Sequence, residues 1–120
     1  MSLLRKLFRI SSPKSFRKPC RRLLKQTVIA GFQYYRGEQL WDFLRQDLPL
    51  QLRREPRNRF DCHAVAVYWN GNKLGFIPRS ENLAIASLLD HGQQLEARIA
   101  RQYRGSSSRR QVDVCVELLM

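Results

Sequence analysis

Ala64-Val65-Ala66-Val67-Tyr68-Trp69-Asn70-Gly71-Asn72-Lys73-Leu74-Gly75-Phe76-Ile77 sets two β-rich runs on either side of an Asn-Gly pair. A two-residue hairpin turn that matches the twist of its strands needs positive φ at both central positions, which Asn and Gly supply at least cost. This is the strongest hairpin signal in the chain, and it predicts strands over Ala64–Trp69 and Lys73–Ile77. Pro78 lacks an N–H and stops the second strand. Just upstream, Glu55-Pro56-Arg57-Asn58-Arg59-Phe60-Asp61-Cys62-His63 concentrates cations, an amide, a carboxylate and an aromatic in one polar loop that runs into the first strand. Phe60 there has two readings, a plug that pins the loop to the core or an exposed ring, and burial of most aromatics favours the plug.

Further out, Leu48, Leu50 and Leu52 alternate with Pro49, Gln51 and Arg53, the pattern of a half-buried strand with an arginine on its outer face. Val28, Ile29, Ala30 and Phe32 read as a first apolar strand, and Gln33–Gly37 as a turn. Tyr34 and Tyr35 are adjacent, so on extended chain one ring faces inward and the other outward. Leu40, Trp41, Phe43 and Leu44 suit one helical turn or a plug closing one end of a barrel, with Trp41 in the core. Downstream, Ser80 is positioned to cap a helix whose apolar face is Leu83, Ile85, Ala86, Leu88 and Leu89 and which Gly92 ends. His91 sits favourably at that helix's C-terminus. Leu95–Tyr103 and Gln111–Leu119 are two final strands around a basic, serine-rich loop. About six short strands with one or two helices predict a mainly β, α+β fold, a small partly open barrel of OB-like or SH3-like type.

Charge divides the chain. Residues 1–27 hold nine Lys or Arg and no acid, whereas residues 28–120 hold thirteen basic and ten acidic groups, a net +3. Residues 1–26 read as a flexible basic arm whose removal should leave 27–120, the barrel domain, folded. Such an arm is drawn to phosphate, in nucleic acid first and anionic lipid second. Met1–Ile10 would form an amphipathic helix on a lipid or partner, and organelle targeting by this acid-free segment stays open. Cys20, Cys62 and Cys115 are odd in number with no close pair, which suggests a reducing, cytoplasmic setting, nucleoid-associated in a bacterium. Apolar runs are too short for a membrane span.

Catalytic signatures are absent: no glycine-rich phosphate loop, nucleophile elbow or HExxH motif occurs. Asp61 and His63 lack a third group, and the scattered cysteines and histidines lack the spacing of a zinc site, so neither an enzyme nor a metal or cofactor is expected. Nucleic-acid features are better represented. Arg53, Arg54, Arg57 and Arg59 surround the polar loop, Arg98, Arg101, Arg104, Arg109 and Arg110 surround the last hairpin, and Tyr34, Tyr35, Phe60 and Tyr103 lie between them. Cations hold a phosphate backbone, and aromatic faces accept unpaired bases at about 1–3 kcal/mol each, which suits single strands.

Three separated blocks resemble the HIRAN domain, a module at the N-terminus of some Snf2-type fork-remodelling ATPases and also a stand-alone bacterial protein. They are Ala30-Gly31-Phe32-Gln33-Tyr34-Tyr35-Arg36-Gly37; Leu52–Pro56 with Asn58, Phe60, Asp61 and Ala64–Val67; and Gly71 with Leu74–Pro78. The resemblance runs from about Thr27 to Met120. It implies an OB-like barrel that captures the 3′-hydroxyl end of single-stranded DNA in repair or fork processing. By position, Tyr34 and Phe60 stack on terminal bases and Asp61 accepts a hydrogen bond from the 3′-OH. Asn58 holds the loop or touches the end, and Arg79, with Arg54 and Arg57 nearby, holds phosphates. Phe60 replaces a usual tyrosine, Arg59 a proline and His63 an asparagine. With no motor in the chain, a partner would supply helicase or ATPase activity. The alternatives are a protein-interaction or RNA-binding module without end recognition and, last, a metal-dependent hydrolase or nuclease.

Overall fold

The computed structural model describes residues 20–106 and 108–120; most of the basic arm, with the amphipathic reading of Met1–Ile10, lies outside the described residues. Six strands, β1 (Arg21–Val28), β2 (Pro49–Arg54), β3 (Val65–Trp69), β4 (Asn72–Phe76), β5 (Leu95–Arg104) and β6 (Arg110–Leu119), form one antiparallel sheet in the order β1-β6-β5-β2-β3-β4. The β3–β4 hairpin forms as its sequence dictates: Trp69 pairs with Asn72, and Asn70 and Gly71 take φ of 49° and 80°. β2 makes the corner of the sheet, since Pro49 and Leu50 pair with β5 whereas Gln51–Arg54 pair with β3.

The sheet curls until its two ends almost meet. Beyond β1, Ala30 exchanges backbone hydrogen bonds with Phe76 of β4, at 2.7 and 3.0 Å, and this isolated bridge is the seam of the barrel. Gly75 makes the approach possible. Its φ is 148°, and a Cβ there would lie 2.4 Å from the Ala30 carbonyl oxygen. Inside, Leu50, Val65, Val67, Leu74, Ala97, Ile99, Val112, Val114 and Val116 form the core, joined by Phe32 and by Ile85 and Ala86 of α2 (Leu83–Asp90). A short helical segment, α1 (Gly37–Leu40) with the 3₁₀ turn Trp41–Phe43, sets the half-buried Trp41 edge-on to Phe32 at 5.8 Å.

Several expectations are corrected. The first strand starts at Arg21, so residues 21–26 belong to the sheet and not to the arm. They pair with β6, and Arg21 meets Glu96 and Glu117 there, so its charge has partners that the local sequence conceals. The expected strand over Val28–Phe32 ends at Val28, because Gly31 at φ 73° turns the chain into a 3₁₀ turn over Phe32–Tyr34. Ser80 does not cap α2. The cap position is Asn82, whose side chain is used elsewhere, and Leu83, expected on the apolar face, is exposed. His91 does sit at the helix end, its Nδ1 2.7 Å from the Ser87 carbonyl. Among the described residues no helix is long and apolar enough to cross a membrane.

Candidate nucleic-acid interface

The loop between β2 and β3 is held by polar bonds throughout. Asn58 Oδ1 accepts the backbone N–H groups of Phe60 and Asp61 at 2.9 and 3.1 Å, and its amide donates to Glu55 at 3.0 Å. Arg54 lies beneath the loop. It donates to the carbonyls of Ala64 at 2.7 Å and Cys62 at 2.9 Å, and pairs with Asp90 of α2 at 2.9 Å. Arg54 therefore positions the loop, with its guanidinium engaged inside the protein. Because backbone and side-chain donors stake the loop down, no apolar plug is required, and Phe60 is 79% exposed. The plug reading of Phe60 is thus corrected.

Asp61 turns towards the fold, its side chain only 16% exposed. Its Oδ1 accepts the His63 backbone N–H at 2.9 Å and its Oδ2 accepts the amide of the buried Asn82 at 2.7 Å. The His63 N–H, followed by Asn82 and the charges of Arg79 and His63, holds the carboxyl below the usual aspartate range although burial pushes the other way. A carboxylate offers about four lone-pair sites. Two are used, so the ionised group keeps acceptor capacity for a ligand.

A pocket of about 480 Å³ opens beside this loop, between it and the barrel seam. Asn58, Phe60, Asp61, Arg57 and Arg79 line it on the loop side, and Tyr35, Phe76 and Lys73 on the seam side. Tyr35 packs edge-on to Phe76 at 5.7 Å, and the Lys73 ammonium lies over both rings at 5.4 and 4.6 Å. Lys73 also pairs with Glu55: burial disfavours each charge, but the pair, joined on Glu55 by the Asn58 amide, outweighs it, raising the Lys73 pKa and lowering that of Glu55. A second recess on the far side of the loop shares Asn58, Arg59, Phe60, Asp61 and Arg79, so the Phe60–Asp61 segment stands as a rib between two hollows.

Of the residues singled out from sequence, Tyr35, Asn58, Phe60, Asp61, Arg57 and Arg79 come together around the pocket. Arg54 sits below it. Tyr34, 76% exposed, is outside the pocket wall, next to Tyr35. Lys73 and Asn82 were missed. Their contacts with Glu55 and Asp61 cross 18 and 21 positions, and no local pattern announces them. Among the described residues, no three His, Cys, Asp or Glu side chains gather as metal ligands would.

A curled six-stranded antiparallel sheet with a cation-rimmed, aromatic pocket at its seam defines an OB-like binding module. A family model for the HIRAN domain matches residues 25–118, and the chain belongs to that family. HIRAN domains are known as DNA-binding, rather than catalytic, modules of Snf2-type proteins. A crystal structure of a protein from Lactobacillus plantarum superimposes with a TM-score of 0.74 at 24% identity, covering 85% of this chain and 98% of that one. The HIRAN domain of human HLTF superimposes with a TM-score of 0.63 at 21% identity, covering 82% of this chain and 78% of that one. No curated protein matches the sequence.

Proposed function

We propose that this chain is a non-enzymatic reader of single-stranded DNA that captures a free 3′-hydroxyl end. The observation that carries the reading is an ionised, mostly shielded Asp61 with unused lone pairs inside a pocket rimmed by Arg57 and Arg79, with the Phe60 ring exposed at its mouth. The cations attract the backbone and the ring accepts a base. A carboxylate in such a place repels a terminal phosphate but gains a charge-assisted hydrogen bond from a hydroxyl. Family membership supports the nucleic-acid partner. The setting that follows is DNA repair or replication-fork processing, with remodelling supplied by an ATPase partner.

The test is fluorescence anisotropy with one short strand ending in 3′-OH or in 3′-phosphate. A hydrogen bond to a charged group contributes about 1.5–3 kcal/mol, so the hydroxyl end should bind at least about tenfold more tightly. Asp61→Asn should remove that preference while the protein stays folded. Equal binding of both ends by the parent would sink end recognition and favour a general nucleic-acid or protein-interaction module.

A further inference from the structure

On the other side of the Ala30–Tyr35 segment lies a separate cleft of about 300 Å³. Gln33 and the end of β1 form one wall, and Tyr103, Arg109, Arg110 and Gln111, at the base of the β5–β6 loop, form the other. Ala30 belongs to the walls of both this cleft and the Asp61 pocket, and Tyr34 stands exposed between Gln33, which faces the cleft, and Tyr35, which faces the pocket. No carboxylate lines the cleft. Arg109 is exposed and makes no ion pair among the described residues; Arg110 rests 5.1 Å over the Trp41 ring and reaches Glu38 only at 3.5 Å, so donors on both guanidiniums remain available.

We infer that this cleft is a second DNA subsite, which holds the phosphates of nucleotides preceding the captured end. It rests on the end-reading function above. The strand leaves the pocket over Tyr34, whose ring supports a base at the crossing, and Arg109 and Arg110 receive the next phosphates. This gives the exposed Tyr34 a place in recognition although it lies outside the pocket wall. It also explains why a concave, acid-free, arginine-bearing surface adjoins the site: two guanidiniums and two amides suit phosphodiester oxygens.

The experiment compares trimeric and dodecameric oligothymidylate, each with a 3′-OH or 3′-phosphate, on the full chain, on Arg109→Gln, on the Arg109→Gln/Arg110→Gln double variant and on Arg22→Gln. Arg22 is exposed at the opposite end of β1 and provides an equal change of charge. The parent should bind the dodecamer more tightly than the trimer. The double variant should lose about tenfold on the dodecamer, with a salt slope shallower by about 1.4, while its trimer affinity and hydroxyl preference are kept. Arg22→Gln should retain more of the length effect than Arg109→Gln does. The inference is overturned if the double variant keeps the parent's length effect, or if Arg22→Gln erodes it as much as Arg109→Gln. Absence of hydroxyl preference in the parent trimer is a different failure, that of end reading itself, and a length effect carried by Arg109 and Arg110 would still support the cleft.

Discussion

Phe60 holds its ring in solvent and leaves the fold to Asn58 and Arg54, so binding and stability should separate cleanly at this loop. Phe60→Ala is expected to weaken binding of a 3′-OH strand by about 1–3 kcal/mol with an unchanged melting temperature, and Phe60→Tyr to restore it. Asn58→Ala should do the opposite first. It strips the acceptor of two loop N–H groups, so the melting temperature should fall by the equivalent of about 1–3 kcal/mol, which calorimetry would register. The carboxylates set the pH behaviour. Asp61, Glu55 and Glu81, the last of which accepts the Thr27 hydroxyl and pairs with Lys25, all have folded pKa values below their ordinary ones, so the stability they contribute is complete above the unfolded carboxylate range and fades as pH falls through the folded values. Thermal stability should therefore hold through mildly acidic pH and decline below the usual carboxylate range, with a shallower decline in Asp61→Asn. At this scale the sequence was partly legible. Arg57, Asn58, Phe60 and Asp61 were visible together in one loop, but the exposure of Phe60 depends on Arg54 reaching Ala64, Cys62 and Asp90, which no spacing reveals.

The hairpin of β3 and β4 was the most legible element because its information is local: an Asn-Gly turn and two β-rich flanks determine it. β1 was the least legible. Its partner strand lies some ninety positions away, Thr27 facing Val114 and Arg21 facing Leu119, and its basic residues read as a solvated arm until Glu96 and Glu117 are placed beside them. Likewise, the start of α2 is displaced to Leu83 because Asn82 sits at the cap position with its side chain given to Asp61. In the β3–β4 hairpin two glycines have different duties. A Cβ at Gly75 would run into the Ala30 carbonyl, so Gly75→Ala should cost at least about 2 kcal/mol in denaturant unfolding and open the seam. Gly71 has open space around it and only its positive φ to protect, so Gly71→Ala should cost about 1 kcal/mol.

The whole molecule carries a net charge of +12, and six of its basic residues precede Cys20. A chain beginning at Cys20 retains all six strands and should unfold in one transition, with weaker and less salt-dependent DNA binding but intact hydroxyl preference. A chain beginning at Thr27 loses most of β1 and leaves β6 at an open edge, and circular dichroism should show a lower melting temperature. The barrel's seam has a further consequence. Ala30 and Phe76 close the sheet through a single bridge, and both also line the pocket. A ligand lodged there would act as a rivet across the joint, shifting local opening by mass action. Exchange of the Ala30 and Phe76 amide hydrogens with deuterium should then slow on adding a 3′-OH strand, while that of the Val114 amide, in β6 and outside the pocket lining, should change less.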